Sequence, residues 1–347
     1  MKTKIAVNID TVDFSVNGEN GSFVIPNTNF VNLISADGEI LNNYQNRVSI
    51  PGKFGPHKLN VRALNSGTRL EVQGSPYANL CGQNVYTSSD LRRGVLSALR
   101  KVCKELRIKP TKEQKEKWIA GDIDLQRVDL AVNYRFASEA MCLEVLRQVR
   151  RQLEEQGGST RTSGTTICWA PKNGKEYSIS FYAKGPEMRR QKCHDELPDK
   201  LEFLEECSCI LRIEIRLHAE ALRLLKLDKV SSWTEDSAEI AFRKYMRRLR
   251  LLSVTSGPVT QKELDALPHR RQRPVLALHK AGCSLEQVYS RATLQRHRAD
   301  FRKQGIDLRC PNESTREPIP LNKVLSPRRA IKAAPPWMQE KGLVPPS

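Results

Sequence analysis

No stretch of this 347-residue chain approaches the roughly 20 consecutive apolar residues of a transmembrane helix. The start, Met1-Lys2-Thr3-Lys4-Ile5-Ala6-Val7, soon meets Asp10 and Asp13, unlike a signal peptide. A soluble, cytoplasmic protein with no membrane partner is expected. Histidine is scarce: the six present include no His-x-His pair. The nine cysteines are odd in number and lack a disulfide-like framework, which fits a reducing compartment. The nearest thing to a zinc cluster is Cys193-His194 with Cys207 and Cys209, but the spacing fits no common zinc pattern and the last two fall in a predicted strand, so they read as buried thiols. What the chain has in excess is positive charge. With 57 lysines and arginines against 39 acids, a net charge of +18 and a pI near 9.6, it favours a polyanionic partner, nucleic acid ahead of an anionic membrane.

The length allows two domains plus tails. Met1 to about Val16 alternates as a first strand. Two or three more strands lie between Arg47 and Gln73, with Asn65-Ser66-Gly67 as the hairpin loop between Leu59–Leu64 and Thr68–Gln73. A loop rich in small residues and amides follows, from Gly74 to Tyr86. A helix capped by Ser89 then runs to Pro110, a charged segment leads to the strand Leu125–Tyr134, and an amphipathic helix covers Ser138 to about Gln156. The stretch Gly158–Thr166 carries glycines, hydroxyls and Arg161. It reads either as a phosphate-holding loop or as a flexible β-connection. Strands at Ile167-Cys168-Trp169, Glu176–Lys184 and Cys209–Leu217 complete the half. The fold class is therefore α+β, a mainly antiparallel sheet with helices packed on one face, followed by a smaller all-α basic region.

The strand holding Tyr177-Ser178-Ile179-Ser180-Phe181-Tyr182-Ala183-Lys184 places Ser178, Ser180, Tyr182 and Lys184 on one face. A phenol beside an ammonium is a candidate nucleophile, although an ordinary half-buried strand tyrosine has the same pattern. Three other strands carry a carboxylate on their polar faces: Glu71, Asp129 and Glu214. If the strands are neighbours, these gather on the sheet face free of helices, where hard ions such as Mg2+ or Mn2+ find oxygen ligands. His57 or His218 would be available to complete such a site, though a surface or packing role suits both.

In the second half, a helix from Ser232 to Val254 sets Arg243, Arg247 and Arg250 beside an apolar stripe, either a DNA-tracking face or a solvated one. Thr260-x-x-Glu263 is a capping box, Pro274 to Gly282 is a short helix, and Ser284-x-x-Gln287 caps another. A last helix spans Thr293 to Gln304. The tight Ser290-Arg291-Ala292 turn and the cations Arg296, Arg298 and Arg302 suit a helix-turn-helix as well as a plain helical bundle. Beyond Cys310, prolines and cations without apolar periodicity predict a disordered tail. The predicted domains are 1–228 (catalytic), 229–310 (helical, DNA-binding) and 311–347 (tail).

Ordered blocks across residues 45–220 resemble the gene II/X replication initiators of filamentous phages and, more distantly, plasmid rolling-circle initiators. The blocks are Leu70-Glu71-Val72 with Ser75-Pro76 and Gly82-Gln83-Asn84-Val85; Arg127-Val128-Asp129; Ser159-Thr160-Arg161; Tyr182-Ala183-Lys184 with Glu187; and Arg212-Ile213-Glu214-Ile215-Arg216. A weaker echo lies near Thr293–Leu308. The resemblance implies a site-specific nickase in the host bacterial cytoplasm that starts rolling-circle replication. Tyr182 would attack an origin phosphodiester and hold a 5′-phosphotyrosyl link, Glu71, Asp129 and Glu214 would hold Mg2+ (or Mn2+), and Lys184 would stabilise negative charge. Double- and single-stranded origin DNA and a host helicase and polymerase are the implied partners. The missing His-x-His pair departs from many related initiators. A DNA-binding regulator without catalysis and a plasmid relaxase of the same chemistry are the competing readings.

Overall fold

Alternating apolar and polar residues build one 11-stranded sheet whose pairings are all antiparallel. It is seen in a computed structural model that describes residues 4–19, 21–26, 28–54, 57–155, 158–172, 174–190, 196–249, 251, 271–280, 285–303, 308 and 321–345. The strands are β1 (Asn8–Asn17), β2 (Phe30–Ile34), β3 (Ile40–Gln45), β4 (Val48–Ile50), β5 (Leu59–Leu64), β6 (Arg69–Gly74), β7 (Asp124–Arg135), β8 (Ser159–Ser163), β9 (Thr166–Ala170), β10 (Tyr177–Ala183) and β11 (Ile210–His218). Their spatial order is β2-β3-β5-β6-β1-β7-β11-β10-β9-β8, with β4 beside β5. The centre of the sheet is thus β1, β7, β11 and β10, contributed by distant parts of the chain.

One face of these central strands is a continuous apolar surface: Val128, Leu130 and Val132 of β7, Ile213, Ile215 and Leu217 of β11, and Ile179 and Phe181 of β10 are all fully buried. Against this layer pack α2 (Leu91–Glu105), α4 (Glu139–Glu155) and α7 (Ala219–Leu225); the other helices up to this point of the chain are α1 (Pro76–Cys81), α3 (Lys112–Ala120), α5 (Lys184–Arg190) and α6 (Lys200–Ser208). The other face keeps the polar residues of each strand.

The hairpin loop is where the turn chemistry placed it. Asn65, Ser66 and Gly67 all take positive φ (51°, 54° and 81°), which small and amide residues tolerate best. Elsewhere local structure exceeds the expectation. The Gly74–Tyr86 loop contains α1, capped by Ser75 with proline at its first turn and ended by left-handed Gly82. The charged segment after Pro110 contains α3, entered through a Thr111/Gln114 capping box. Asp90, not Ser89, caps α2 by accepting from the Arg93 amide at 2.9 Å. Gly158–Thr166 takes the β-connection form: it makes up most of the β8–β9 hairpin, turning at Gly164. Strands β2 and β3 went unread because Leu33, Ile34, Ile40 and Leu41 are more than half exposed, so no buried face imposes alternation.

Two compact units divide the chain, one of residues 1–249 with 327–347 and one of 250–326. The helix predicted from Ser232 to Val254 is shorter: α8 runs Ser237–Met246, is followed by a 3-10 turn to Leu249, and belongs to the first unit. In the second unit, α9 (Gln272–Lys280), α10 (Leu285–Val288) and α11 (Arg291–Lys303) surround a small core of Val275, Leu276, Leu285, Leu294, Phe301 and Leu308. The Ser290 hydroxyl accepts from the Thr293 amide at 3.3 Å and marks the turn into α11. The Thr260/Glu263 box, Ser284 and Arg250 lie outside the described residues.

The last part of the chain corrects the expected tail. Residues 327–345 are ordered on the first unit: Ala330 pairs with Tyr134 as an isolated bridge, and Met338 and Leu343 are fully buried with Val85, Tyr86, Met188, Leu197 and Phe203. Gln83 is the clasp. Its buried amide nitrogen donates to the carbonyls of Leu343 (2.6 Å) and Tyr86 (2.8 Å), while its oxygen accepts from the amides of Val85 (2.6 Å) and Tyr86 (2.9 Å). Gln83→Ala strands those buried groups and is expected to cost on the order of 3 kcal/mol. A lowered urea midpoint with an unchanged slope checks this; an unchanged midpoint contradicts the clasp.

Candidate functional site

On the polar face the register brings functional groups together strand by strand. Asp129 stands opposite Arg216, Ala131 opposite Glu214 and Asn133 opposite Arg212 across β7 and β11; Glu214 stands opposite Ser180 and Arg212 opposite Tyr182 across β11 and β10. Side chains meet on the diagonal. The Tyr182 hydroxyl donates to Glu214 Oε2 at 3.0 Å. Asp129 accepts from Arg127 (Nε at 2.8 Å) and from Arg216 (3.3 Å), so two guanidiniums hold one carboxylate that is 1% exposed. Arg216 also approaches Glu214 at 3.8 Å.

Beneath Tyr182 lies Arg212, whose side chain is fully buried. It donates to Asp10 at 2.8 Å and to the Asn84 carbonyl at 2.6 Å, and its Nε stands 4.0 Å from Glu214. Asp10 is the site residue that sequence reasoning missed. Strict alternation puts it on the same side as Val12 and Phe14, the apolar side. A β-bulge between Ile9 and Val12 inserts one residue opposite Asp129, and this returns Asp10 to the polar face. The available signal was a carboxylate at a position that strict alternation assigns to the apolar side with Val12, Phe14 and Val16, which needs a buried partner once that strand is central.

The pKa values follow from this crowding. Burial lifts the Glu214 carboxyl to about 7, with repulsion from Asp129 and Asp10 adding to it and Arg212 and the Tyr182 hydrogen bond opposing it. Burial also raises the Tyr182 phenol well above its ordinary value, while Arg212 pulls it down and Glu214 pushes it further up. His218, at the end of β11, is held below its usual range by burial and then by Arg216 and Arg127, so it is neutral at neutral pH.

Several predicted site residues lie differently from expectation. Tyr182 is 7% exposed, not at an open strand end. The strand stops at Ala183, and Lys184 begins α5. Its ammonium is buried, pairs with Glu187 at 2.6 Å, and stays 5.5 Å from the centre of the Tyr182 ring. Glu71 is not with the other carboxylates. It lies three strand spacings from Glu214, roughly 14 Å at about 4.8 Å per strand, and pairs with Arg62 (2.5 Å) and Arg47 (3.9 Å).

Among the described residues, no three His, Cys, Asp or Glu side chains are placed together to hold a metal ion. Glu71, Asp129 and Glu214 therefore do not fit Mg2+ or Mn2+ as a ready-made set, and guanidiniums already neutralise Asp129. Cys207 lies buried in α6 and Cys209 just after it, not both in a strand, while Cys193 and His194 are outside the described residues.

The predicted DNA-binding arginines divide. Arg161 on β8, Arg247 and Arg296 are exposed. Arg243 is bound to Glu239 and Arg298 to Glu286, and Arg302 is half-buried. Arg248, not foreseen, sits over the rings of Tyr177 (5.3 Å) and Tyr245 (5.0 Å).

Comparison with known proteins places this geometry. The family of the N-terminal part of the phage gene II replication-associated protein matches residues 9–236, which contain every strand of the site. A curated relative, the gene II replication-associated protein of Enterobacteria phage I2-2, is 27% identical over 297 residues, covering 81% of this chain and 83% of its own length. No solved structure matches.

The sign of the Glu214 shift makes a stability prediction. A carboxyl whose folded pKa is raised binds protons more tightly folded than unfolded, so stability falls as pH rises from about 4.5 through about 7. The expected loss from this group is on the order of 1–3 kcal/mol. Glu214→Gln should remove that slope and unfold at a higher temperature than wild type at pH 8. Parallel pH profiles for the two proteins would refute it.

Proposed function

The chain belongs to the gene II replication-associated protein family of filamentous phages, and from that premise we propose that it is the origin nickase of a rolling-circle replication system, with Tyr182 as nucleophile. The observation that carries this reading is the Tyr182–Glu214 hydrogen bond set against buried Arg212. A phenol is a weak nucleophile at neutral pH, and burial makes this one weaker still. It reacts when a base takes its proton as the bond to phosphorus forms. Glu214, with a pKa near 7, is matched to that task.

In the proposed step the Tyr182 oxygen attacks the phosphorus of one phosphodiester and its proton passes to Glu214. The Tyr182 O–P bond forms, the P–O3′ bond breaks, and the 3′ oxygen leaves and takes up a proton from water. The 5′-phosphate remains on the tyrosine. Arg212 stabilises the negative charge that passes through the phenolic oxygen, and Asp10 holds Arg212 in place. Rejoining is the reverse: a 3′-OH attacks the phosphotyrosyl phosphorus and gives its proton to water, the O3′–P bond forms, the Tyr182 O–P bond breaks, and the phenolic oxygen recovers a proton from Glu214. No new bond energy is required, because one phosphodiester replaces another.

The DNA track proposed here is the open part of the same sheet face, where Arg216 is 40% exposed and Arg62 and Arg47 continue toward β5. Arg161, Arg247 and Arg296 add exposed cations elsewhere. Single-stranded origin DNA is the proposed substrate at Tyr182, and duplex origin DNA the proposed target of the wider basic surface. A host helicase and polymerase would extend the free 3′ end. Whether Mg2+ or Mn2+ is needed is an arm of the test, since no step above uses it.

Supercoiled DNA carrying the cognate intergenic region, incubated with and without each divalent ion, is expected to give nicked circles and a covalent protein–DNA band with wild type. Tyr182→Phe should give neither. Equal nicking by the variant sinks the assignment, and binding without nicking by both proteins favours a regulator.

Among active variants, the wild-type rate should climb as pH passes about 7 and then level off, as Glu214 ionises. Glu214→Gln should lose roughly 100-fold or more in rate, together with that climb. A Glu214→Gln enzyme that retains the wild-type pH profile would assign the base to another group.

A further inference from the structure

Helices α2 and α3 form a groove of about 370 Å3 that includes none of the polar-face residues named above. Its floor is Leu96, Leu99, Ile108, Trp118 and Ile119, and its rim is Arg100, Lys104 and Lys115. The floor is firm: Trp118 is 6% exposed and stacks on Phe23 at 6.4 Å, and the Ile119 carbonyl accepts from Arg92 on α2, which ties the two helices. Yet the Ile119 side chain is 56% exposed. All three rim cations are exposed, and none forms an ion pair with a described residue. Neighbouring Lys112 and Lys117 differ, being paired with Glu116 and Glu113 along α3.

A surface that exposes an isoleucine within a ring of unpaired cations is matched by a ligand with the opposite arrangement. We propose that this groove docks a short acidic segment of a partner protein that carries one or two apolar side chains, the apolar groups entering the floor and the carboxylates meeting Arg100, Lys104 and Lys115. The apolar floor distinguishes this from a phosphate track. A duplex backbone offers a uniform line of charge with no apolar group to enter beside Leu96 and Ile119, whereas an acidic, apolar peptide satisfies both parts of the groove, and a single-stranded oligonucleotide is the competitor whose bases could also do so. The size falls within the range of pockets that hold small ligands. The groove lies outside the nicking chemistry and does not depend on it.

The probe is a fluorescein-labelled synthetic peptide of consecutive aspartates ending in Leu-Phe, titrated with the full chain at moderate salt and read by anisotropy. Saturable binding is expected. It should weaken about tenfold or more for Arg100→Glu with Lys104→Glu together, and likewise for Ile119→Asp. These positions are exposed, so the variants should keep the wild-type unfolding temperature, and the charge reversal should leave binding of a labelled single-stranded oligonucleotide unchanged. The proposal is overturned if a peptide with Ala-Ala in place of Leu-Phe binds equally well, if the rim reversal has no effect, or if the oligonucleotide displaces the peptide. The last result would make the rim a nucleic-acid contact.

Discussion

The ion pair of Asp10 and Arg212 is the contact on which the centre of the sheet depends. Burying an unpaired guanidinium or carboxylate costs several kcal/mol, and both groups lie where β1, β7, β11 and β10 run side by side. Neither charge is tolerable there without the other. Their meeting fixes more than a charge balance: it requires the bulge in β1 and brings Arg212 under Tyr182. It also requires the Asn84 carbonyl, on the loop after α1, to close over the same guanidinium at 2.6 Å. A chain that places Arg212 correctly has therefore already placed the loop, the first strand and the tyrosine.

That dependence continues outward through Gln83. The residue beside Asn84 spends all its hydrogen-bonding groups on the loop's own backbone and on Leu343, so the loop that closes over Arg212 is also the loop that receives the end of the chain. The apolar cluster around it joins Val85 and Tyr86 to Met188 of α5, Phe203 of α6 and Met338. Segments distant in sequence thus cover one end of the polar face. The rest of that face, with Arg216 and Arg62, is partly exposed, and on the proposed function it is the side from which DNA would reach Tyr182.

Much of this was legible in the sequence where periodicity and burial agree. The alternation in Leu125–Tyr134 and Cys209–Leu217 comes from strands with one wholly buried face, and it placed Asp129, Glu214 and Tyr182 on a common side. Alternation says nothing about strand order, so Glu71 shared the right face while lying three strands away from Glu214. Asp10 was hidden by a bulge, which inverts the facing of all residues on one side of it. Lys184 was read one residue past the end of its strand, where the backbone had already turned into a helix. The C-terminal segment looked disordered because its contacts are single anchors, Ala330, Met338 and Leu343, spaced without a period.

Net charge suggests a partner class and is silent about position. A formal +18 is a sum, and some of its arginines are committed inside the protein: Arg212 to Asp10, Arg127 to Asp129 and Arg243 to Glu239. Such groups neutralise buried or half-buried carboxylates and contribute little to the field met by an approaching polyanion. Arg216 is intermediate. It lies 3.3 Å from Asp129 but is 40% exposed, so on the proposed function an incoming phosphate would compete with a carboxylate for the same guanidinium and relax its hold on Asp129. A contact of that kind couples occupancy of the open face to the charge balance around Glu214. On the proposed function, a phosphate held by Arg216 would therefore raise or lower the charge around Glu214 without touching it.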